Sequence, residues 1–242
     1  MGYTVQIGMG KTNIKQKVAI FDIDGTIFRS SLLIELVNVL IEMGLFEQSV
    51  RADYEVEHRK WLERKGDYES YIGEVVKVFL CNIKSVHYAD FNKAAETVIE
   101  RYEHHTYRYT RDLIKELKKN GYYLLAISHS PKTVLDKFCE KMGFNKSYGM
   151  LYETGPNERL TGRVMEEHLI RNKSNILKRA VEKEGLTLDD SIGVGDTESD
   201  ISFLEMVEEA ICFNPNAKLY REAKRNGWKV IVERKDVVYE LS

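Results

Sequence analysis

Asp22 and Asp24 stand two residues apart at the end of the apolar run Val18-Ala19-Ile20-Phe21, and Gly25-Thr26 follow at once. Side chains at i and i+2 of a strand end point the same way, so both carboxylates should face one cleft. Carboxylates that close repel each other and call for a cation, and all-oxygen ligation suits magnesium with its retained waters. Gly25 lets the backbone turn tightly, and its N–H is expected to face an anion. On its own, an Asp-Gly-Thr after a strand also reads as an ordinary turn.

Three positions downstream add to this pair, each at a strand end or a helix start. Ser128 follows the apolar run Tyr122 to Ile127 and precedes Ser130-Pro131, which reads as the N-cap and first turn of a helix. A hydroxyl at the positive end of a helix can hold a phosphate oxygen. His129, beside it, is a candidate substrate contact. Lys173 sits in Asn172-Lys173-Ser174-Asn175, just ahead of the helical pattern Ile176, Leu177, Ala180, Val181, and its ammonium could neutralise a phosphate or a nucleophile. Asp196 and Asp200 follow a strand expected over 191–194, and they share a face if the next segment is helical.

In this order the residues resemble the haloacid dehalogenase superfamily of phosphohydrolases, whose four motifs appear as Asp22-x-Asp24-Gly25-Thr26, Ser128, Lys173 and Gly195-Asp196-x-x-x-Asp200. The resemblance runs from about Lys17 to the C-terminus. The long gap after the first motif, together with Phe213-Asn214-Pro215-Asn216-Ala217-Lys218, is most similar to the phosphoserine phosphatase-like branch. The resemblance implies that Asp22 attacks phosphorus and becomes an aspartyl phosphate, while Asp24 protonates the leaving alkoxide and then activates water. It implies magnesium held by Asp22, the backbone carbonyl of Asp24 and Asp196, with Asp200 behind them orienting water or Lys173. Phosphoryl oxygens would go to Ser128, Lys173 and the Gly25 amide, with Thr26 and His129 counted among the substrate-binding positions. Phosphoserine phosphatases carry a glutamate about nine residues beyond the nucleophile and two glycines after the serine. This chain has Ser31 there, and His129 and Ser130 after Ser128, which argues for a different leaving group.

These residues need a scaffold, and the spacing of strand ends describes one. About a hundred residues separate the first two strands, far more than a single crossover needs. From Ser31 the pattern Leu32, Leu33, Leu36, Val37, Leu40, Ile41 has helical period and closes at Met43-Gly44. Further helical stretches are expected over 48–64, 68–80 and 88–105, which makes the insert an all-helical cap over residues 31–105. A helix with Leu113, Ile114 and Leu117 then returns the chain to the core. Strands over 191–194, 210–213 and 229–232 complete an α/β fold, a Rossmann-like doubly wound parallel sheet whose core spans 17–30 and 106–242. Ligands in such sheets bind beyond the carboxyl ends of the strands, where all four motifs fall. Residues 150–154 and 160–164 flank Gly155-Pro156-Asn157-Glu158 as a hairpin, which in related folds borders the cleft and reads equally as a surface excursion without a substrate role. Candidate substrate contacts in the cap are Glu35, Tyr54, His58, Arg59, Trp61, Arg64, Tyr68 and Tyr71.

Composition is compatible with this reading and excludes others. The 242 residues, 43% hydrophobic, can build one full core plus an inserted module. A net charge of −2, from 36 basic and 38 acidic residues, leaves no basic footprint for nucleic acid. Cys81, Cys139 and Cys212 have no zinc spacing and read as reduced thiols of a cytoplasmic protein. No apolar run approaches the roughly 20 residues of a membrane span. Residues 1–16 read as a lead-in or an extra edge strand, and Gly10-Lys11-Thr12 lacks the leading glycine of a nucleotide loop. The expected partner is a small phosphorylated substrate. Two other classes share the chemistry, a phosphoacceptor signalling domain and a catalytically silent phosphate sensor of the same fold. Turnover of a phosphomonoester separates an enzyme from both.

Overall fold

The computed structural model describes residues 15–166 and 172–241. The readings made on Gly10-Lys11-Thr12 and on most of the lead-in therefore lie outside the described residues. Among the described residues eight strands form one sheet: β1 (Gln16–Phe21), β2 (Tyr123–Pro131), β3 (Lys146–Thr154), β4 (Leu160–Met165), β5 (Leu186–Gly195), β6 (Glu209–Phe213), β7 (Lys229–Arg234) and β8 (Val237–Leu241). Their order is β4-β3-β2-β1-β5-β6-β7-β8. The six central strands are parallel, and an antiparallel hairpin closes each edge, β3 with β4 and β7 with β8.

The strands of the parallel block are apolar because both of their faces are covered. Ala19, Phe21, Leu124 and Ala126 lie in one buried cluster, and Val18, Ile20, Leu125 and Ile127 lie in the other. Period-two alternation thus feeds two cores rather than one. The second core is closed by α7 (Lys173–Glu184) through Ile176, Leu177 and Ala180, by the short α8 (Ile201–Leu204) through Phe203 and Leu204, and by α9 (Ala217–Asn226) through Leu219 and Ala223. The first takes in Ile114 and Leu117 of α5 (Arg108–Lys119) and Phe138 of α6 (Lys132–Met142).

Between β1 and α5 run four helices: α1 (Leu32–Glu42), α2 (Arg51–Leu62), α3 (Tyr68–Asn82) and α4 (Tyr88–Tyr102). A short 3-10 turn, Gln48–Val50, precedes α2. In α1, Leu32, Leu33, Leu36, Val37, Val39, Leu40 and Ile41 are all buried, so this helix is covered on most of its circumference. The same apolar cluster runs unbroken from the sheet through α1 to Phe79 of α3 and Phe91 of α4. No helix among the described residues is long and apolar enough to cross a membrane.

Three local features differ from the sequence expectation. β5 begins at Leu186, not near Ser191; its polar first half pairs with Gln16 and Lys17 before the register jumps between Lys17 and Ala19. β8 was not expected, because its turn is Lys235-Asp236 without the glycine or asparagine that marks a tight hairpin. The β3–β4 hairpin exists but does not line the large cleft described below. Leu160 instead exchanges backbone hydrogen bonds with Val86 and Ser85 in the α3–α4 connection, at 2.9 and 2.8 Å.

Candidate active site

Register brings the motifs together. Phe21 pairs with Ala126 on one side and Val194 on the other, so Asp22 leaves β1 beside Gly195 and just short of Ser128. The Asp22 N–H donates to Val194 O at 2.9 Å, which ties the first residue past the strand to β5. Lys173, the first residue of α7, follows the N-cap Asn172, whose side chain accepts from the Ser174 N–H.

The Lys173 ammonium is 2% exposed and donates to Asp22 Oδ1 and Asp200 Oδ1, both at 2.5 Å. Asp200 Oδ2 accepts from the backbone N–H groups of Asp196 and Thr197, each at 3.0 Å, so both of its oxygens are engaged within the protein. Asp196 Oδ1 accepts from the Thr26 hydroxyl at 3.2 Å. Oxygen atoms of Asp22, Asp196 and Asp200 lie within 4.8 Å of one another.

Charge in this pocket is unbalanced. Burial is the main force that raises the Asp22 carboxyl to about 7; the charges of Asp200 and Asp24 add to the rise, and Lys173 opposes it. Burial, with Asp22 and Asp200, also holds Asp196 well above the usual carboxylate range. Burial works against the charge on Lys173, yet Asp200 and Asp22 outweigh it and keep the ammonium above its ordinary value. One ammonium thus serves several carboxylates, and the residual negative charge invites a further cation. An all-oxygen donor set of this kind fits magnesium rather than zinc. Asp22 and Asp196 would be its carboxylate ligands, because Asp200 is already saturated by Lys173 and two backbone amides.

Asp24 is held apart from that cluster. Its Oδ1 accepts from the Leu32 N–H at 2.6 Å, the first amide of α1, and its Oδ2 accepts from the hydroxyls of Ser128 at 2.6 Å and Ser130 at 2.8 Å. The N-cap residue of α1, Ser31, makes no side-chain capping bond, so Asp24 takes over that function. Ser130 is the residue that sequence reasoning misplaced. Ser130-Pro131 signals an N-cap, but β2 continues through Pro131 and α6 starts at Lys132 without a side-chain cap, which leaves the Ser130 hydroxyl free to reach Asp24.

Two further expectations are corrected. The Gly25 N–H does not face an anion; it donates to Phe28 O at 2.9 Å and Ser30 O at 3.2 Å within the turn. Glycine is needed there for another reason: its φ is +83°, and a Cβ would sit 2.1 Å from Asp196 Oδ2. Thr26 is fully buried and is placed to orient Asp196, not to meet a ligand. His129 is exposed and, like Asp22, Ser128 and Lys173, is not among the residues that line the large cleft.

From Gly25 and Asp196 a cleft of about 1080 Å³ opens between α1, α2 and α3 on one side and the N-terminus of α9 on the other. Of the cap candidates, Glu35, Tyr54, His58, Trp61, Tyr68 and Tyr71 line it, whereas Arg59 and Arg64 do not. Tyr68 lines the cleft together with Asp196, and burial and the nearby charges of Asp24 and Asp196 raise its hydroxyl above its ordinary value.

A family model for haloacid dehalogenase-like hydrolases matches residues 19–205, most of the chain and all of the clustered residues just described. The chain belongs to the haloacid dehalogenase-like hydrolases. The relatives that it resembles over most of its length include two phosphatases. It is similar to a histidinol-phosphatase of Neisseria meningitidis serogroup C, 27% identical over 227 residues that cover 89% of this chain and 98% of the relative. It is similar also to a phosphoserine phosphatase of Methanocaldococcus jannaschii, 25% identical over 226 residues, 92% and 95% of the two chains. Among solved structures, a protein of unknown function from Bordetella pertussis superposes with a TM-score of 0.70 at 17% identity, covering 89% of this chain and 98% of that one. A phosphoserine phosphatase in a phospho-aspartyl intermediate analogue state gives 0.61 at 24%, with 92% and 95% covered. At these identities the two structures establish the shared fold of this hydrolase.

Proposed function

We propose that this hydrolase is a magnesium-dependent phosphomonoesterase that works through an aspartyl phosphate on Asp22 and acts on a small phosphorylated metabolite. The observation that carries the reading is the buried ammonium of Lys173 bridging Asp22 and Asp200 beside Asp196, with Asp24 separately clamped nearby. Lys173 orients Asp22 by binding Oδ1, which leaves Oδ2 for attack on phosphorus. Magnesium, held by Asp22, Asp196 and the backbone carbonyl of Asp24, would neutralise charge on the phosphoryl group. In this reading residues 31–105 form a cap over a core of 17–30 and 106–242.

The clamp on Asp24 gives Ser128 two functions. Its hydroxyl proton is committed to Asp24 while its oxygen accepts from the Ser130 N–H at 2.9 Å. A phosphoryl oxygen that takes this proton releases one of the three hydrogen bonds on Asp24, and the carboxyl can then serve the leaving oxygen. Ser130 and the Leu32 amide keep it in place meanwhile. With a proton taken up from solvent on the oxygen so freed, Asp24 protonates the departing alkoxide, and as carboxylate it takes a proton back from the water that hydrolyses the phosphoenzyme.

Phosphate release from a panel that includes phosphoserine and histidinol phosphate, with magnesium or with chelator, tests the reading. Wild type should release phosphate only with magnesium, and Asp22→Asn should release none. Turnover by Asp22→Asn at the wild-type rate would overturn the covalent mechanism.

A further inference from the structure

Three arginines line the cleft, Arg29, Arg51 and Arg221, and among the described residues none of their guanidinium groups takes part in an ion pair or a hydrogen bond. The acids beside them are spent elsewhere. Glu198 binds the Lys218 ammonium at 2.5 Å, and the charges of Glu69 and Asp67 act on the same lysine. Glu35 accepts the Ser30 hydroxyl at 2.8 Å, and Glu55 lies 4.0 Å from the His58 ring. Two of the arginines stand on the core side. Arg29 follows the first motif; its N–H donates to His105 O at 2.8 Å, and its guanidinium lies over the Tyr107 ring, 5.6 Å from the centroid. The Tyr107 hydroxyl is hydrogen-bonded in turn to the Asn214 side chain, and the lining continues through Asn214 and Asn216 to Arg221, one turn into α9. Arg51 opens α2 on the opposite side.

A guanidinium stacked by its face keeps its edge of N–H donors for an acceptor, and that fork fits phosphate oxygens bidentately. Two such groups without a partner call for an anion, and their charge decides which. A phosphate monoester brings nearly two negative charges and three acceptor oxygens, enough for both groups, whereas a carboxylate brings one charge and two oxygens. The phosphoryl group that reacts is already provided for by the aspartate cluster, its cation and Lys173. The cleft holds about 1080 Å³, the upper end for sites that take drug-sized ligands, so a further group has room. Resting on the phosphatase reading above, we infer that the substrate is a bisphosphate, two phosphomonoesters on one carbon skeleton, and that Arg29 and Arg221 hold the second phosphoryl group while the first reacts at Asp22. Hydrolysis breaks the bond between the first phosphorus and its alcohol oxygen. That oxygen leaves as a hydroxyl with the proton from Asp24, water supplies the oxygen that leaves with phosphate, and the second ester stays intact on the product.

The bisphosphates of propane-1,3-diol, pentane-1,5-diol and hexane-1,6-diol, each beside the alkyl monophosphate of the same length, isolate the second group. With magnesium in excess, kcat/KM for the best bisphosphate should exceed that of its monophosphate by about tenfold to a hundredfold, the range of hydrogen bonds to a charged acceptor and beyond what two equivalent ends supply. Replacing the second phosphate by a carboxylate should forfeit most of that gain. Arg29→Gln and Arg221→Gln should each bring the ratio towards unity, with the monophosphate as the reference within each variant, and Arg51→Gln should leave the ratio as in wild type. Equal turnover of bisphosphate and monophosphate at every length, a carboxylate as good as the phosphate, or a ratio unchanged in Arg29→Gln or Arg221→Gln overturns the inference. Calorimetry of the magnesium-loaded wild type with the matching bisphosphonates and monophosphonates reads the subsite without turnover. Bisphosphonate binding that is tighter by about tenfold, and lost in Arg29→Gln, supports the subsite even if no ester is hydrolysed, an outcome that would sink only the phosphatase reading. Equal binding overturns the subsite itself.

Discussion

The charge imbalance at Asp22 has a measurable consequence for the metal-free protein. Asp22, 5% exposed, titrates at about 7 in the folded chain against an ordinary value of 3.8. Between those values the folded state holds a proton that the unfolded state has lost, so stability falls as pH rises through that window. The contribution is intact below about pH 4 and gone above about pH 7. A difference of about three pH units, at about 1.36 kcal/mol each, amounts to about 4 kcal/mol. Asp22→Asn removes the buried negative charge, while Lys173 keeps Asp200 as a partner at 2.5 Å. The assay is thermal unfolding in chelator from about pH 4.5 to pH 8, wild type against Asp22→Asn. The two should unfold together at the acid end, and wild type should fall below the variant by up to about 10 °C at the alkaline end. Magnesium should then raise wild type selectively, because a bound cation neutralises the charge that the variant lacks. A gap that is constant with pH, or that widens towards acid, would show that Asp22 is ionised throughout and would refute the reasoning.

Gly25→Ala should disable the site without unfolding the sheet. The left-handed φ of +83° costs about 1–2 kcal/mol for a residue with a Cβ, and that Cβ must displace Asp196. The expected result is a native circular dichroism spectrum with loss of both turnover and the magnesium-dependent thermal shift; full activity would contradict it. Ser130→Ala removes one of the three hydrogen bonds on Asp24, worth about 1.5–3 kcal/mol when the acceptor is charged. Accordingly kcat should drop by about tenfold to a hundredfold with KM little changed, and Ser130→Thr should recover most of it. A rise in KM at constant kcat would instead place Ser130 in substrate binding.

Residues whose chemistry is local in sequence were legible. Asp22 and Asp24 share a strand end, Asp196 and Asp200 lie four apart around a capping turn, and Lys173 opens a helix, so period and end signals suffice to place them. The four helices of the insert were also legible, and apolar spacing marks α1, α3 and α4, whereas α2 buries only Tyr54. What escaped was set by partners distant in sequence. Ser-Pro is a sound helix-start signal, yet Ser130 answers to Asp24, 106 residues away, because the strand pairing that carries β2 through Pro131 puts its hydroxyl there. Gly25 could be read as a turn glycine, but the atom that forbids a side chain belongs to Asp196, on the neighbouring strand end. The Thr26 hydroxyl is claimed by that same carboxylate. Each of these contacts crosses between β1 and an adjacent strand end, and a one-dimensional pattern names the groups at such a junction without saying which hydrogen bonds they spend on one another. At this site that expenditure decides the chemistry: Asp200 is consumed by Lys173 and two amides, Asp24 by α1 and two serines, and the oxygens left over on Asp22 and Asp196 are those available to a cation and to phosphorus.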